Sequence, residues 1–578
     1  MKIYTRIIIA AILAAATVLS SEAKERKIHI VTTGDQHGAW FSKPYVEGQS
    51  NKTSMMSVMY YVDSLRKAVG KDNVLLLDAG DCLQGDNAAY YFNYVKRGKE
   101  PHLFTRISSY MGFDAMVVGN HDVETGHKVY DKVYKELKKE KIPWLGGNAV
   151  KVRNGKPYFP TYTIVKKAGH KIAVLGFTNA NMKAWLSEEV WKGMDFISLV
   201  PYVQQQVDKV IKKERPDIVV AVVHSGTGEG DGSQLENQGL DLLNSLSGVD
   251  VLVCAHDHRP AVHENNGAFL INGGARGSNV GHAVVTIEKD GRKLKTKYTE
   301  AEIVRMDKNK VDKAMERKFA SDFNEVKRFT NQKVGKLAMD MRTRDAYRGM
   351  SDYINLVHTV QLGVKDAQIS FAAPLTFDGT VKAGDLIFND MFTIYPFENQ
   401  LFVLRLSGKE IKDYLEYSYD TWIQTAGEHV LRISSNPDPR TGSERWSFVG
   451  RSYNFDSAAG LVYTVDVTKE YGGRVSISSL ADGSAFDENA MYNVAMTSYR
   501  ASGGGNLLLE GAGIDSAEAD ARVVARYPEI RDLVYDYVKK HKTLTSKLVG
   551  KTSVIGEWRF VPEAVVAPLM EKDMNLIF

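Results

Sequence analysis

The chain has 578 residues, of which 44% are hydrophobic and 25% are charged, and its formal net charge is +4. A chain of this length exceeds what one hydrophobic core supports, so we expect two domains. The small net charge gives no reason to expect a surface that binds nucleic acid polymers, and any nucleotide must be held by local contacts.

Residues 1–23 have the pattern of an export signal. Lys2 and Arg6 form a basic start, an apolar run covers residues 7–18, and small residues precede a cleavage site after Ala23. The alternative is a membrane anchor, but the run is shorter than the roughly 20 residues that a spanning helix needs. We therefore expect a periplasmic or secreted protein whose mature chain has no membrane anchor.

Between residues 24 and 305, short apolar runs alternate with amphipathic segments. The runs that are typical of buried strands lie at 28–31, 74–77, 115–118, 172–175, 218–223 and 251–253. The segments 54–68 and 128–141 have apolar residues at helical spacing. This alternation predicts a layered α/β domain over residues 24–305.

The rest of the chain is divided into a charged segment, a strand-rich segment and a short C-terminal segment. Residues 306–335 are charged and lack proline, which predicts a solvated linker helix. Residues 336–560 contain an amphipathic stretch at 351–361 and then a strand-rich region with turn residues, so we predict a second domain of α+β class. Residues 561–578 are assigned to a tail.

The chain contains two cysteines, Cys82 and Cys254. Each lies close to a candidate metal ligand, at the end of a separate predicted strand. In an oxidising compartment they would either form a disulfide or remain as two buried thiols, and the sequence is compatible with both.

Polar residues directly follow five of the predicted strands. The five motifs are Gly34-Asp35-Gln36-His37-Gly38, Asp78-Ala79-Gly80-Asp81, Gly119-Asn120-His121-Asp122, His224-Ser225-Gly226 and Ala255-His256-Asp257-His258. Because ligands of open α/β sheets bind at the carboxyl ends of the strands, we expect these residues to share one crevice. One such motif alone is typical of a turn or a helix cap, whereas the five together predict a metal site.

The residue types in these motifs suit two divalent ions. Carboxylate, amide and imidazole ligands favour ions of the Zn, Mn or Fe class over an all-oxygen calcium site. Two cations about 3.5–4 Å apart can hold a phosphate between them, and one carboxylate should then bridge both.

In this order the motifs resemble the signature of calcineurin-like metallophosphoesterases, with Ala255 in place of the usual glycine. Over about residues 27–515 the chain resembles the bacterial periplasmic 5′-nucleotidase and 2′,3′-cyclic-nucleotide phosphodiesterase family. The resemblance implies a layered metallophosphoesterase β-sandwich flanked by helices, followed by an α+β nucleoside-binding domain. It also implies two divalent metal ions and a small-molecule nucleotide as substrate.

The resemblance assigns roles to individual residues. It implies that one metal is held by Asp35, His37, Asp81 and His258, and the other by Asp81, Asn120, His224 and His256, with Asp81 as the bridge. It implies that His121 stabilises the transition state and protonates the leaving oxygen. The 5′-nucleotidases orient this histidine with an aspartate three residues later, and here Glu124 provides a carboxylate on a longer side chain. Asp78 is interpreted as a strand-end cap.

Two segments of the second domain resemble the substrate-binding loops of the family. One reads Tyr-Pro-Phe-Glu-Asn around Phe397, and the other begins at Tyr499 and reads Tyr-Arg-Ala-Ser-Gly-Gly-Gly. The resemblance implies that Phe397 and Tyr499 sandwich the base, while Gly503 and Gly504 let the backbone approach the ligand. Without the resemblance, Phe397 would be interpreted as a core residue.

Two departures from the family pattern bear on the substrate. The 5′-nucleotidase branch has an Asn-x-Gly-x-x-Arg stretch where residues 371–378 read Phe-Ala-Ala-Pro-Leu-Thr-Phe-Asp. It also ends its glycine loop in Gly-Gly-Asp, where residues 503–505 are all glycine. Both departures favour the 2′,3′-cyclic-nucleotide phosphodiesterase/3′-nucleotidase branch.

Three alternatives to that activity are a 5′-nucleotidase, a hydrolase of nucleoside-diphosphate sugars or of a thiosulfate-carrier bond, and a non-catalytic secreted nucleotide-binding protein. Against the last of these, the chain retains all the candidate metal ligands together with His121.

Overall fold

The computed structural model describes residues 24–96, 98–290, 293–437 and 442–578. The expected export signal, residues 1–23, lies outside the described residues. Among the described residues, no helix combines the length and the apolar character required to cross a membrane.

The first domain is a sandwich of two six-stranded sheets. Its strands are β1 Lys24–Thr33, β2 Val74–Asp78, β3 Ala115–Val117, β4 Trp144–Leu145, β5 Tyr162–Lys167, β6 His170–Phe177, β7 Ile218–Val223, β8 Val251–Cys254, β9 Ala261–Asn265, β10 Ala268–Asn272, β11 Asn279–Asp290 and β12 Lys293–Arg305. The spatial orders are β12-β11-β1-β2-β3-β4 and β9-β10-β8-β7-β6-β5. All six predicted apolar runs coincide with strands.

Strand β2 shows why these runs are apolar throughout. Its residues Leu75 and Leu77 face the opposite sheet, whereas Val74 and Leu76 face a helical layer. Because both faces of the strand are covered, no position along it favours a polar residue. The same division holds for β7, where Val220 faces the other sheet.

Helices cover both outer faces of the sandwich. They are Met55–Val69, Asn87–Tyr90, Leu103–Met111, Asn120–Glu124, His127–Lys139, Met182–Trp185, Glu188–Trp191, Leu199–Glu214 and Gly239–Ser245. The predictions at 54–68 and 128–141 are confirmed to within two residues at each end. Ser54 caps the first helix, since its hydroxyl accepts a hydrogen bond from the Met56 amide (3.1 Å).

The segment expected to be a solvated linker helix forms two consecutive helices, Lys313–Lys318 and Ala320–Thr330. The expectation of full solvation was wrong for one face, where Met315, Phe319 and Val326 are buried in the core of the first domain. Charged residues dominate the sequence here, but one apolar side chain of each helix, and Phe319 between the helices, pack against the first domain.

The second domain is built on a five-stranded sheet with helices on both faces. Its strands are β13 Ile369–Ala372, β14 Gln400–Ser407, β15 Ser457–Ala459, β16 Met491–Thr497 and β17 Val523–Glu529, in the order β15-β13-β16-β14-β17. Its larger helices are Asp352–Leu362, Gly408–Trp422 and Ile530–His541. Smaller helices include Phe388–Ile394, Ser498–Ala501, Ser516–Ala521, Ser546–Val549 and Thr552–Ile555. This arrangement confirms the predicted fold class.

Short strands complete the structure. They pair as Ala149–Lys151 with Met194–Phe196, Lys333–Leu337 with Gly384–Ile387 and Thr543–Leu544, Met341–Arg342 with Thr380–Val381, Ile433–Pro437 with Glu444–Phe448, and Leu461–Asp466 with Val475–Leu480 and Gly556–Val561.

The residues set apart as a tail, 561–578, contain the helix Glu563–Ile577 and pack on the second domain. Met570 and Met574 enter its core. Asp573 is fully buried, and its carboxylate accepts hydrogen bonds from the backbone amides of Val430 (2.8 Å) and Leu431 (2.9 Å). The second domain therefore continues to the end of the described chain.

Candidate active site

The metal-ligand candidates follow β1, β2, β3, β7 and β8 and meet at one edge of the sandwich. Five of them have a left-handed backbone conformation, namely Asp35, His37, Asp81, His256 and His258. Non-glycine residues rarely adopt this conformation, and it costs free energy, so its concentration here indicates a functional constraint. Gly119 is required for the close approach, because a Cβ there would lie 2.1 Å from Asp81 Oδ1.

The first group of ligands comprises Asp35, His37 and His258, whose ligand atoms all lie within 4.8 Å of one another. The Nε2 atoms of the two histidines are 2.9 Å apart, and Asp35 Oδ1 is 3.7 Å from His258 Nε2. His37 Nδ1 is 3.0 Å from the carbonyl oxygen of Gln84. This contact assigns the ring proton to Nδ1, so the lone pair on Nε2 points into the group.

The second group comprises Asp81, His224 and His256. His224 Nδ1 lies 2.8 Å from the carbonyl oxygen of Ala79. This contact places the ring proton on Nδ1 and leaves the lone pair on Nε2 free. That atom is 3.0 Å from Asp81 Oδ2. Asn120 Oδ1 completes the set at 2.9 Å from His224 Nε2 and 3.0 Å from His256 Nδ1.

The charges and lone pairs of both groups fit divalent cations. Asp35 and Asp81 are fully buried, yet Asp35 Oδ1 and Asp81 Oδ2 accept no hydrogen bond within the described part of the chain. Burial lowers the pKa of His256 to about 3, so this imidazole is neutral at pH 7. Buried carboxylate oxygens without a donor are costly, and a cation in each group would remove that cost.

A further carboxylate, for which sequence reasoning had found no role, ties the metal loops together. Asp122 accepts hydrogen bonds from the backbone amides of Asp81, Cys82, Leu83 and Gly119 (2.8–3.1 Å). Burial, followed by the charge of Asp81, raises the pKa of Asp122 to about 6. Its place in the Asn-His-Asp motif was the available signal.

Asp78 has the capping role that the sequence suggested. Its carboxylate accepts hydrogen bonds from the Gly80 amide (2.9 Å), Thr33 Oγ1 (2.6 Å) and Gln36 Nε2 (2.7 Å). Cys82 also donates its thiol to Asp78 (3.1 Å). Cys82 and Cys254 are both free and buried. The structure therefore contains two buried thiols and not a disulfide between them.

His121 and Glu124 lie beside the second group on the short helix Asn120–Glu124. His121 Nδ1 is 2.6 Å from Glu124 Oε2, and the His121 amide donates to Asp81 Oδ1 (2.8 Å). Burial lowers the pKa of His121, but the charges of Asp81 and Glu124 outweigh burial and raise it to about 10. Without bound cations these charges favour the protonated imidazole, which then carries a proton on Nε2 as well as on Nδ1.

Tyr499 approaches the first domain from the helix Ser498–Ala501. Its ring packs against the core of the first domain, and its helix contacts the helix Met182–Trp185. Trp185 in turn stacks on His256, with ring centroids 4.9 Å apart and planes at 20°. Trp185 therefore links the helix that contacts the Tyr499 helix with a candidate metal ligand, a role for which the sequence contained no signal.

The glycine run supports Tyr499. A Cβ at Gly504 would lie 2.5 Å from the Tyr499 ring, and Gly503 has a left-handed backbone conformation (φ 94°). The absence of a side chain at Gly504 thus lets the Tyr499 ring pack against the backbone, and the role of Gly503 and Gly504 in ligand binding stays a prediction. The carbonyl of Gly504 is also engaged, since it accepts a hydrogen bond from Arg500 Nη1 (2.6 Å).

Phe397 is 38% exposed and belongs to none of the core clusters formed by the described residues. The interpretation of Phe397 as a core residue is thereby excluded. The ring is available to a ligand, and Glu398, which follows it, contacts Gln84 beside the first ligand group (3.2 Å).

Two groups of converging metal ligands at the strand ends of a helix-flanked sandwich define the first domain as a metallophosphoesterase. The family model of calcineurin-like phosphoesterases matches residues 28–260, and that of the 5′-nucleotidase C-terminal domain matches residues 330–510. The chain therefore belongs to the family that joins these two domains, and it is a phosphoric ester hydrolase.

Several proteins are similar to this chain at low identity. The 2′,3′-cyclic-nucleotide 2′-phosphodiesterase/3′-nucleotidase of Salmonella typhimurium is 23% identical over 564 residues, covering 86% of this chain and 84% of that protein. The trifunctional nucleotide phosphoesterase protein of Bacillus subtilis is 23% identical over 613 residues, covering 95% of this chain but only 40% of that longer protein. The 5′-nucleotidase precursor from Thermus thermophilus has the same fold, with a TM-score of 0.61 and 19% identity over 93% of this chain and 100% of that chain.

Proposed function

We propose that the chain is an exported two-metal hydrolase of nucleotide phosphate esters that prefers 2′,3′-cyclic and 3′-nucleotides to 5′-nucleotides. The observation that carries this proposal is the connection of each substrate loop to a different ligand group. The helix of Tyr499 contacts the helix that ends at Trp185, and the Trp185 ring stacks on His256. Phe397 precedes Glu398, which contacts Gln84 beside His37. A phosphate at the metal ligands would thus lie beside two aromatic surfaces for the base.

The residues of the first domain would have distinct roles. The metals would be held by Asp35, His37, Asp81, Asn120, His224, His256 and His258. Two bound divalent ions of the Zn, Mn or Fe class would neutralise phosphate charge and supply a hydroxide at neutral pH. His121 would protonate the leaving oxygen from Nε2. Glu124 would accept the hydrogen bond from Nδ1 and thereby fix the orientation of the ring.

The second domain supports the preference for cyclic and 3′-nucleotides. Arg500 is the arginine of the glycine loop, and all its donor nitrogens are engaged by Asp456, Asn454, Gly504 and the carbonyl of Tyr453 (2.6–3.1 Å). It is therefore unavailable to grip a 5′-phosphate. The stretch at 371–373 is apolar and buried and offers no cation either.

The test is a substrate panel on the mature, metal-loaded chain. Initial rates are measured for one nucleoside as its 2′,3′-cyclic, 3′- and 5′-phosphate, for a nucleoside-diphosphate sugar, and for an aryl phosphate without a base. We expect the highest kcat/KM for the cyclic or the 3′-phosphate. A higher value for the 5′-phosphate would establish the 5′-nucleotidase alternative. No hydrolysis of any of these esters, with the cyclic substrate followed by its conversion to the monophosphate, would establish the binding-protein alternative.

Export is tested separately. N-terminal sequencing of protein recovered from the medium or the periplasm should begin at Lys24. Recovery of the chain only inside the cell, beginning at Met1, would contradict this part of the proposal.

A further inference from the structure

A buried ion pair lies where the two domains meet. Glu398 is 5% exposed, and the side chain of Arg531 is 1% exposed. Arg531 Nη2 is 3.1 Å from Glu398 Oε1, and the guanidinium also lies over the rings of Phe392 (4.2 Å) and Tyr90 (4.9 Å). Tyr90 belongs to the first domain, so the second domain's ion pair is covered by the first.

The other oxygen of the same carboxylate contacts the first domain directly. Glu398 Oε2 accepts hydrogen bonds from Gln84 Nε2 (3.2 Å) and from the hydroxyl of Tyr94 (3.1 Å). The carboxylate is therefore held by one cation of its own domain and by two neutral donors of the other.

Both partners of the ion pair also fix the loop that carries Phe397. Arg531 Nη1 donates a hydrogen bond to the carbonyl oxygen of Pro396 (3.1 Å), which precedes Phe397, and Glu398 follows it. Since the exposed ring has little packing of its own, the two anchored neighbours determine where the ring lies.

At its other end the network reaches the metal ligands. Gln84 donates its side-chain amide to Glu398, while its carbonyl oxygen is 3.0 Å from His37 Nδ1. A continuous series of contacts thus runs from Phe397 through Glu398 and Gln84 to His37.

Stability alone does not account for this arrangement. Well-packed apolar residues of the same volume often stabilise a protein more than a buried ion pair does. The best-attested benefit of such a pair is that it fixes one relative position of the segments that it joins. Here the segments are the loop of Phe397 and the loop of Gln84.

We propose that Glu398, held by Arg531, is a positioning residue that sets the Phe397 ring at a defined place relative to the metal-site loop. This inference rests on the proposed nucleotide hydrolase function and adds a determinant of nucleotide binding to it. Glu398 does not touch the reacting atoms. Its charge also acts on His121 and Glu124, so the positioning effect through Phe397 is measured as a change in KM and not in kcat.

The experiment is a double-mutant cycle on the metal-loaded mature chain. KM and kcat are measured for the preferred nucleotide and for an aryl phosphate in the wild type, Glu398→Gln, Phe397→Ala and the double variant. We expect Glu398→Gln to raise the nucleotide KM about tenfold, within the range that one base–aromatic stack contributes, and to leave the aryl phosphate KM within about twofold. In the Phe397→Ala background the same change should add little, because the ring that Glu398 positions is gone.

Two further variants separate positioning from a general loss of structure. Gln84→Met removes the hydrogen bond to Glu398 from the side of the first domain and leaves Glu398 paired with Arg531. Like Glu398→Gln, it should raise the nucleotide KM. Glu410→Gln breaks another ion pair of the second domain, with Arg522 (2.9 Å), and should leave both substrates unaffected. Melting temperatures of all variants establish that the folded enzyme is being measured.

The outcomes are distinct. Equal losses for the nucleotide and the aryl phosphate, or additive effects of Glu398→Gln and Phe397→Ala on the nucleotide KM, would overturn the inference and leave the proposed function standing. A wild-type enzyme that hydrolyses the aryl phosphate but no nucleotide would overturn the proposed function and this inference with it.

Discussion

His121 Nδ1 and the carboxylate of Glu124 lie 2.6 Å apart on one short helix, three residues from each other. The longer glutamate side chain thus reaches the imidazole as closely as a hydrogen bond requires. The contact leaves Nε2 of His121 as the nitrogen that can face a substrate.

Replacing His121 tests its role as the proton donor. We expect His121→Ala to retain both metals and to lose roughly 10²–10⁴-fold in kcat, which is what a positioned general acid contributes. Aryl phosphates with good leaving groups should lose less, because their leaving oxygens need no proton. Elemental analysis and rates on two leaving groups check this, and loss of metal from the variant would show that His121 is structural.

Glu124→Gln tests the orientation of the imidazole. The amide retains the length of the side chain but removes the charge that favours the protonated ring, so we expect a smaller kcat loss than for His121→Ala. The two changes should not be additive, because both act on one proton transfer. A double variant that is slower than His121→Ala by the full Glu124→Gln factor would contradict the pairing.

Asp81→Asn tests the ligand expected to bridge the two metals. One carboxylate charge serves both sites, so we expect both metals to be lost together and kcat/KM to fall by several orders of magnitude. Asp114→Asn is the matched control, since Asp114 caps the Leu76 amide (2.9 Å) before β3, away from the metal ligands. Near-normal turnover by the Asp81 variant would overturn the two-metal proposal.

Metal binding should stabilise the fold measurably. Asp35 Oδ1 and Asp81 Oδ2 are buried without a hydrogen-bond donor among the described residues, so the metal-free chain carries an unfavourable charge that a cation relieves. At a free metal concentration 100 times the Kd, binding adds about 2.7 kcal/mol to the free energy of unfolding. Thermal melts of the chelated protein with added Mn²⁺ or Zn²⁺ measure this, and Asp35→Asn should reduce the rise in Tm. An unchanged Tm in the wild type would contradict the metal assignment.

The two aromatic residues should respond differently to truncation. Phe397→Ala removes an exposed ring, so we expect a higher nucleotide KM at an unchanged Tm. Tyr499→Ala removes a ring that also packs on the first domain and on Gly504, so the nucleotide KM should rise and the Tm should fall. Tyr499→Phe retains the ring and should preserve the Tm. Equal damage to nucleotide and aryl phosphate hydrolysis by Phe397→Ala would show that the ring is not a base-binding surface.

The sequence by itself determined the six central strands of the first domain and the candidate ligands that follow five of them. Apolar runs such as 218–223 predict strands because both of their faces are covered, and a polar residue directly after such a run falls at the sheet edge where ligands bind. These are local patterns, so they are readable without knowledge of the partners. The same holds for the helix Met55–Val69, which Ser54 begins.

The tertiary structure alone decided what each side chain faces. Phe397 was interpretable as core or as ligand surface until its exposure was known, and the packing of the Tyr499 ring against Gly504 was not readable from the glycine run. Glu398 stood in a recognised loop without a role, because its partners Gln84 and Arg531 are more than 100 residues away in the chain. Contacts of that kind depend on how two domains pack, and no periodicity or spacing within one segment encodes them.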